Sequence, residues 1–576
     1  MPDPSSPKPP EKAPSPAPPA LVNLVIDGRP VQAKPGTNLI EAANQVGIDI
    51  PFFCYHRRLS IAANCRMCLV EVSNAPKLVP ACQTLVSEGL KVTTGSPRVL
   101  ESHRSVEQML LYNHPVDCAI CDQAGECKLQ DYYMEFDHRP YQPAQPRVLR
   151  QKRKPIGPFV MLDQERCVLC TRCVRFMREI AQQPQLGVFA RGNHEYIDTF
   201  PGQPLDSKYA GNAIDLCPVG ALLSRDFRFR ARAFFLSTTP SICAGCARGC
   251  NTFVDHYDGV AYRYRPREND AVNQAWMCDD GRLTRRRLVE DRLTRPLVGR
   301  AGSRVQGRSL TEALSAAAAR LKPLSGQAGL AALVSPQLSV EDLLAVCLLA
   351  REGLGLSALY EGGLADGDED ALLIRADKNP NRLGLRWVAR GFGLALRPFE
   401  SLLGDVSAGR VTALYAAGVE VPKEPQVVAA ALGPIGLIVI QAVRHGPLAD
   451  AADISLPAAP HSEYDGTFVN FEGRPQRFQR AYPEWDEARP HWRLAEALLR
   501  ELGFAWRWPS ARELFAELSP RAPELASFDW NDLGPGGRRE PGVAARPAAA
   551  DARPPGYRER AVAQPGQGKQ AGGSRG

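Results

Sequence analysis

Residues 21–27 alternate apolar and polar side chains, the period of a half-buried strand. Asp27-Gly28 follows as a two-residue turn signal, and a second short strand completes a predicted hairpin. Thr37 can then N-cap a helix running to about residue 46, with Gly47 as its C-terminal stop. Residues 99–112 carry the apolar spacing of an amphipathic helix that ends just before His114-Pro115. From about residue 307 the pattern changes. Residues 309–321 and 339–353 read as helices capped by Ser309 and Ser339. Residues 331–334, 371–375, 413–416 and 437–440 read as short buried strands, so this half is expected to be an α/β domain. No run approaches the roughly 18 uninterrupted apolar residues of a membrane span. Residues 1–20, rich in Pro, and 533–576, rich in Gly, Pro, Ala and Arg, lack periodicity and are expected to be disordered tails.

A chain of 576 residues implies several domains. The net charge of +7 comes with basic runs at 147–154, 225–232 and 282–287. Solvated faces and acidic partner surfaces explain such runs better than nucleic acid does.

The cysteines change the picture more than charge does. Fifteen of the 16 fall between Cys54 and Cys278, in clumps that one histidine completes. The sets are Cys54, Cys65, Cys68, Cys82; His114, Cys118, Cys121, Cys127; Cys167, Cys170, Cys173, Cys217; and Cys243, Cys246, Cys250, Cys278. Four sets of four sulfur or imidazole ligands point to metal, and foremost to iron–sulfur clusters. A disulfide framework would need an oxidising compartment, and the first twenty residues hold no apolar core to act as a secretion signal. Structural zinc uses the same Cys-x2-Cys steps. However, Cys167-x2-Cys170-x2-Cys173 crowds three thiolates into seven residues, the ferredoxin signature that wraps one face of a cubane.

Each set has its own spacing. The first follows a strand–turn–strand–helix stretch, the way a β-grasp ferredoxin begins, and shares the Cys-x2-Cys step and distant fourth ligand of plant-type [2Fe–2S] sites. In the second, three cysteines lack a fourth partner while the other thiols nearby are assigned. That favours His114 as the ligand over His103 and His138. A neutral imidazole in place of a thiolate leaves the cluster less negative and should raise its potential. The third set takes Cys217, before Pro218, as its fourth ligand. Met177 stands where a two-cluster ferredoxin would carry the cysteine for its other cluster, so this module keeps one cluster. The fourth set, with Asn273, Trp276, Gly281, Arg282 and the stretch Arg-Leu-Thr-Arg-Pro-Leu at 292–297, resembles the N-terminal [4Fe–4S] domain of molybdopterin oxidoreductases. A molybdenum site would usually need a protein ligand such as cysteine. The remaining thiol, Cys347, lies on a leucine-rich helix face where a buried structural role is the default.

In this order, with Ala376-Asp-Lys-Asn-Pro-Asn381, Gly466-Thr-Phe-Val-Asn470 and Glu472-Gly-Arg474, the chain resembles the large iron–sulfur subunit of bacterial NADH-quinone oxidoreductases, the respiratory complex I family, from about residue 21 to 502. The C-terminal domain looks shortened beside longer relatives. The resemblance implies an α+β multidomain protein. Its expected parts are a β-grasp [2Fe–2S] domain (21–98), a His-Cys [4Fe–4S] domain (99–145), a ferredoxin-like [4Fe–4S] domain (155–235), a molybdopterin-oxidoreductase-type [4Fe–4S] domain (236–300) and a molybdopterin-oxidoreductase-like α/β domain without molybdenum (301–510). It implies one [2Fe–2S] and three [4Fe–4S] clusters on the sixteen residues of the four sets.

The implied function is electron relay from a flavin-bearing subunit toward quinone-reducing subunits. The first and third sets would lie on the main path, the second on or beside it, and the fourth apart from it in a structural role. The chain would be a subunit of an NADH:quinone oxidoreductase that translocates ions, itself transferring electrons only, with no catalytic residue. It carries no G-x-G-x-x-G in a strand-to-helix setting that would bind NADH or flavin. Expected partners are other peripheral-arm subunits, with no nucleic acid and membrane contact only through those partners, at the cytoplasmic face of the cell membrane. Arg166 and Arg172 are candidates for tuning cluster potentials, weighed below a plain surface role. The alternative is the catalytic iron–sulfur subunit of an NAD-linked formate dehydrogenase, which would need a longer C-terminal domain and a metal-ligating residue there. An iron-only hydrogenase would need further cysteines, and an iron–sulfur scaffold or sensor would not travel with flavin- and quinone-binding subunits.

Overall fold

A computed structural model describes residues 20–137, 146–300 and 308–534. Both expected tails fall almost wholly outside these residues, as does His138.

The first hairpin forms as expected. Strands Val22–Ile26 and Arg29–Ala33 pair antiparallel around Asp27 and Gly28, whose φ values of 46° and 78° are the two left-handed positions of a type I′ turn. Val22–Ile26 also pairs in parallel with Lys91–Thr93, which Leu69–Val72 and Val79–Pro80 extend into a five-stranded mixed sheet. Helix Leu39–Asn44 presents Leu39, Ile40, Ala42 and Ala43 to that sheet's core. Its N-cap is Asn38, not Thr37: the Asn38 carboxamide oxygen accepts from the Glu41 N–H at 3.0 Å. Asparagine reaches the third helical amide without displacing Thr37 from the preceding turn.

Helix Pro97–Asn113 starts one residue after its cap, Ser96, with proline in the first turn, and delivers His114 at its C-terminal end. The middle of the chain is made of short pieces. Helices Arg172–Glu179 and Gly211–Leu216 pack side by side, and a three-stranded sheet, Ser237–Ile242, Asn251–Tyr257 and Val260–Pro266, follows. One continuous apolar core runs under both, from Phe176 and Leu216 to Tyr264, Trp276 and Met277.

The C-terminal half is built on a seven-stranded sheet in the order Leu297–Val298, Ile454–Pro457, Leu437–Ala442, Ala413–Ala417, Leu330–Val334, Ala358–Glu361, Ala395–Pro398. All neighbours are parallel except the edge strand Leu297–Val298. Alternate residues of the central strands face opposite sides: Ala332, Val334, Tyr415 and Val439 join one core, while Ala331, Leu333, Ala416 and Ile440 join the other. The first of these cores reaches Leu525, Phe528 and Leu533.

Ser309 and Ser339 both form capping boxes, with Glu312 and Asp342. The second helix, Val340–Leu348, continues as a wider π turn over Leu349–Gly353. One expected strand does not form. In 371–375 the backbone N–H groups of Leu372, Leu373 and Ile374 donate to the Asp370 carboxylate at 2.9–3.0 Å instead of to a neighbouring strand. Leu373 and Ile374 still bury, but under Trp276 and Tyr482 in the middle core. No helix among the described residues is long and apolar enough to cross a membrane.

Candidate metal centres

All 16 cysteines are free thiols, so no disulfide framework exists. In the first set, Cys54 touches Cys65 and Cys82 through its sulfur, and Cys82 also meets Cys68. The loop that carries Cys65 turns through two left-handed residues, Ala63 and Arg66 (φ 49° and 58°), which aims the amides of Asn64 and Cys65 at the Cys54 sulfur. Contacts with its neighbouring thiols and these amides hold the Cys54 thiol well below the ordinary range. Cys65 is pushed up by its contact with Cys54 and by burial.

The third set lines an enclosed space of about 20 Å³ together with Leu162, Ile197 and Val219. Burial pushes the thiols of Cys167 and Cys170 up to about 12 and about 11, and raises Cys173 and Cys217 as well. Thiols walled off from water favour the protonated form unless a cation joins them, and a bound metal inverts that balance. Beside them, the Nε and Nη2 atoms of the buried Arg172 have no hydrogen-bond partner. A buried cation with open donors next to four thiols fits an anionic thiolate-bound group. Among the described residues no three His, Cys, Asp or Glu side chains gather as a single metal ion requires.

The second set is the most open. Cys118 is exposed, while Cys121 and Cys127 are buried, and burial pushes Cys127 up to about 12. Burial, with help from Arg166, lowers His114 to about 4, which keeps the imidazole neutral, the form a metal requires. The charge of the Arg166 guanidinium acts on both His114 and Cys121. Arg232 binds the carbonyls of Cys118 and Cys121 at 2.8 and 3.2 Å.

In the fourth set all four cysteines are buried. Burial pushes Cys243 up to about 12 and raises Cys250 and Cys278. The N–H groups of Gly245 and Gly281 donate to the sulfurs of Cys243 and Cys278 at 3.4 and 3.3 Å. Gly281 cannot carry a side chain here, since a Cβ would lie 2.9 Å from the Cys243 sulfur. Cys347 lies apart, fully buried in the C-terminal leucine core, where burial alone raises its thiol.

The sets are nested. The Cys217–Gly220 loop of the third set presses on the second: the Lys128 N–H donates to Pro218 O at 3.0 Å, and a Cβ on Gly220 would meet the Cys121 sulfur at 2.2 Å. Arg175 bonds Cys54 O and Cys170 O, joining the first and third sets. Trp276, two residues before Cys278, stacks on His56 at 5.4 Å, and His56 is two residues after Cys54. Sequence reasoning missed Arg175, Gly220 and Trp276 as connectors, although each stands within three residues of a ligand. It also placed Arg166 and Arg172 at the surface. Both are buried, Arg166 against Asp117 and Asp163, and Arg172 with its Nη1 on Leu216 O. The basic run at 282–287 is only partly a solvated face: Arg282 and Arg285 are buried on Asp215 and Asp226, while Arg286, which also reaches Asp226, and Arg287 are exposed.

Mostly buried thiols on ferredoxin-type folds fit a multidomain iron–sulfur protein, and the family matches give it both 2Fe-2S and 4Fe-4S binding domains. Residues 20–97 match the family described as a 2Fe-2S iron-sulfur cluster binding domain, and 104–140 match the NADH-ubiquinone oxidoreductase-G iron-sulfur binding region. Residues 157–223 match the ferredoxin-like domain of NADH-quinone oxidoreductase subunit 3, and 394–501 match molybdopterin oxidoreductase.

The chain is similar to subunits of NADH-quinone and NADH-ubiquinone oxidoreductases. It is 40% identical over 337 residues to the G subunit of NADH-quinone oxidoreductase from Streptomyces coelicolor, covering 58% of this chain and 40% of that one. It is 43% identical to the mitochondrial NADH-ubiquinone oxidoreductase 78 kDa subunit of Neurospora crassa (58% and 45% covered). It is 39% identical to the NADH-ubiquinone oxidoreductase 75 kDa subunit of Reclinomonas americana (63% and 53% covered). The chain thus spans about half the length of these relatives. A chain of a solved NAD+-reducing [NiFe]-hydrogenase also matches, at TM-score 0.33 and 26% identity, over 36% of this chain and 90% of that one.

Proposed function

We propose that this chain is the iron–sulfur electron-relay subunit of an NADH:quinone oxidoreductase, passing electrons from a flavin-bearing subunit toward quinone-reducing subunits. The observation that carries the reading is the nesting of the first three sets, each thiol group abutting the next through one loop or one side chain. Bound clusters would supply one-electron redox chemistry at these positions.

The ligand assignment is Cys54, Cys65, Cys68 and Cys82 for one [2Fe–2S] cluster. Three [4Fe–4S] clusters would take His114, Cys118, Cys121 and Cys127; Cys167, Cys170, Cys173 and Cys217; and Cys243, Cys246, Cys250 and Cys278. The chain's own residues exclude water from most of the thiols, direct amides such as Leu169 N–H at sulfur (3.4 Å to Cys167 Sγ), and set buried cations beside them. Partners are the flavin/NADH-binding and quinone-side iron–sulfur subunits, and the place is the cytoplasmic face of the membrane, reached through those partners. The domain limits expected from the sequence are part of this reading.

A formate dehydrogenase would need a metal ligand in the C-terminal domain. The cysteine left for that role, Cys347, is sealed among leucines.

Iron, acid-labile sulfide and reduced-state EPR on anaerobically purified complex test the reading. One [2Fe–2S] and three [4Fe–4S] clusters give about fourteen irons per chain, with a [2Fe–2S] signal and co-purifying flavin. Zinc with little sulfide would overturn it.

A further inference from the structure

Arg175 sits on helix Arg172–Glu179, two residues after Cys173, and is buried. Its Nη2 donates to two carbonyls at once, Cys54 O at 2.5 Å and Cys170 O at 3.2 Å. These belong to ligands of different sets, separated by 116 positions in the chain. Its Nη1 donates to Ser60 O, and its Nε to Thr171 Oγ1 at 3.3 Å. Glu179, one turn further along the same helix, accepts from the Ser60 N–H and hydroxyl at 2.9 and 2.6 Å. One helix therefore grips the first set's loop at Cys54 and at Ser60.

The charge on Arg175 has no carboxylate within ion-pair distance among the described residues, in contrast to Arg166, Arg263, Arg282, Arg285 and Arg292. Each of its acceptors is a neutral oxygen. A buried cation needs compensating negative charge. Beside it the geometry places the cysteines of the first and third sets, whose thiolates a bound cluster would supply, and, one turn along, Glu179, which is engaged by Ser60 and Arg178.

We propose that Arg175 is a shared positioning residue and counter-cation for the first and third cluster sites. It fixes the two ligand loops in one geometry and favours the reduced, more negative state at both. The proposal rests on the electron-relay reading above. A fixed positive charge stabilises the state carrying the extra electron, as any opposite charge stabilises an ion beside it.

EPR-monitored redox titration of the purified complex tests it, using Arg175→Gln, Arg175→Lys and, as control, the exposed Arg178→Gln on the same helix. In Arg175→Gln the reduced-to-oxidised ratio at a fixed potential should fall about tenfold at both sites, which is about 59 mV for a one-electron couple. Arg175→Lys keeps the charge and should restore most of that ratio. Arg178→Gln should change neither site. A fall at one site alone, no fall, or equal falls in the Gln and Lys variants would overturn the proposal. If Arg175→Gln does not retain its clusters, Arg175→Lys decides: ratios near wild type at both sites support the proposal, and a tenfold fall at either overturns it. Loss of both signals from the wild-type complex would instead overturn the electron-relay reading.

Discussion

At Gly220 the backbone of the third set passes so close to Cys121 that no side chain fits: a Cβ would lie 2.2 Å from the sulfur and 3.2 Å from Gln123 Cβ. Real contacts do not close to that distance, and neither neighbour is the free end of a flexible side chain. Gly220→Ala must therefore push the Cys121 thiol out of its set or lift the Cys217–Gly220 loop. The expected outcome is loss of the second cluster, about four irons per chain on the [4Fe–4S] assignment, with the EPR signal of the first set kept. Full iron content in the variant would show that the loop yields and that the two sets are not rigidly packed. The candidate ligands could be named from the sequence because thiolate chemistry demands cysteine at short spacings. Gly220 was not, since its constraint comes from a cysteine 99 positions earlier in the chain. Arg166 and Arg172 were misplaced for a related reason. An arginine in sequence defaults to solvent, and only the folded chain reveals Asp117 and Asp163 around one and Leu216 O beside the other.

Elements were legible where local chemistry decides them. The Asp27-Gly28 hairpin follows from two left-handed turn residues, and both serine-capped helices follow from the Ser-x-x-Glu/Asp pattern. The second capping box is buried. Ser339 Oγ and N–H both bond Asp342 Oδ2, which also accepts from Tyr464 OH at 2.5 Å, while Oδ1 accepts from the Trp492 N–H at 2.9 Å. Removing the hydroxyl orphans the Asp342 amide and takes one donor from a buried carboxylate. Ser339→Ala should cost about 1–2 kcal/mol. Amide exchange within Val340–Leu348 should speed up by roughly 5–30-fold where it reports that helix's opening. Unchanged exchange would mean that packing alone holds the helix. Thr37 and 371–375 went the other way because a competing side chain won: Asn38 capped the first helix, and Asp370 took the amides that a strand would have shared. Strand Ala358–Glu361 and the edge strand Ala395–Pro398 escaped notice because each is four residues long with no apolar run to mark it.

Across the whole molecule, the fourth set is where the cluster-bearing half meets the α/β half. Beyond its own bonds from Cys243 N–H to Cys250 O and Gly249 N–H to Cys246 O, the loop from Cys243 to Cys250 is held by residues more than 120 positions away. Ala247 N–H donates to Asp377 O, and Phe471 N–H to Ala247 O, each at 2.9 Å. Gln476 accepts from the Asn251 side chain at 2.7 Å and donates to Gly249 O at 2.9 Å. Arg248 reaches Leu373 O at 3.2 Å. From the other side, Cys278 caps the helix Asp279–Leu283, and Asp279 accepts from the Gly211 N–H at the start of the helix that leads to Cys217. A cluster bound here would tie the loop from Cys243 to Cys250, which the α/β half grips, to the segment of Cys278, so its removal is a question about architecture before it is one about electrons. Cys246→Ser should lower iron by about four per chain and leave the [2Fe–2S] signal of the first set unchanged. Amide exchange and protease cutting across the loop from Cys243 to Cys250 should rise, because the hydrogen bonds from the α/β half would then hold that loop unaided. If the loop stays as protected as in the wild type, those hydrogen bonds are sufficient alone. The fourth set would then have to be explained by its aromatic neighbours, Trp276 stacked on His56 and tilted against Phe176, which lead toward the first and third sets, and not by the joint it occupies.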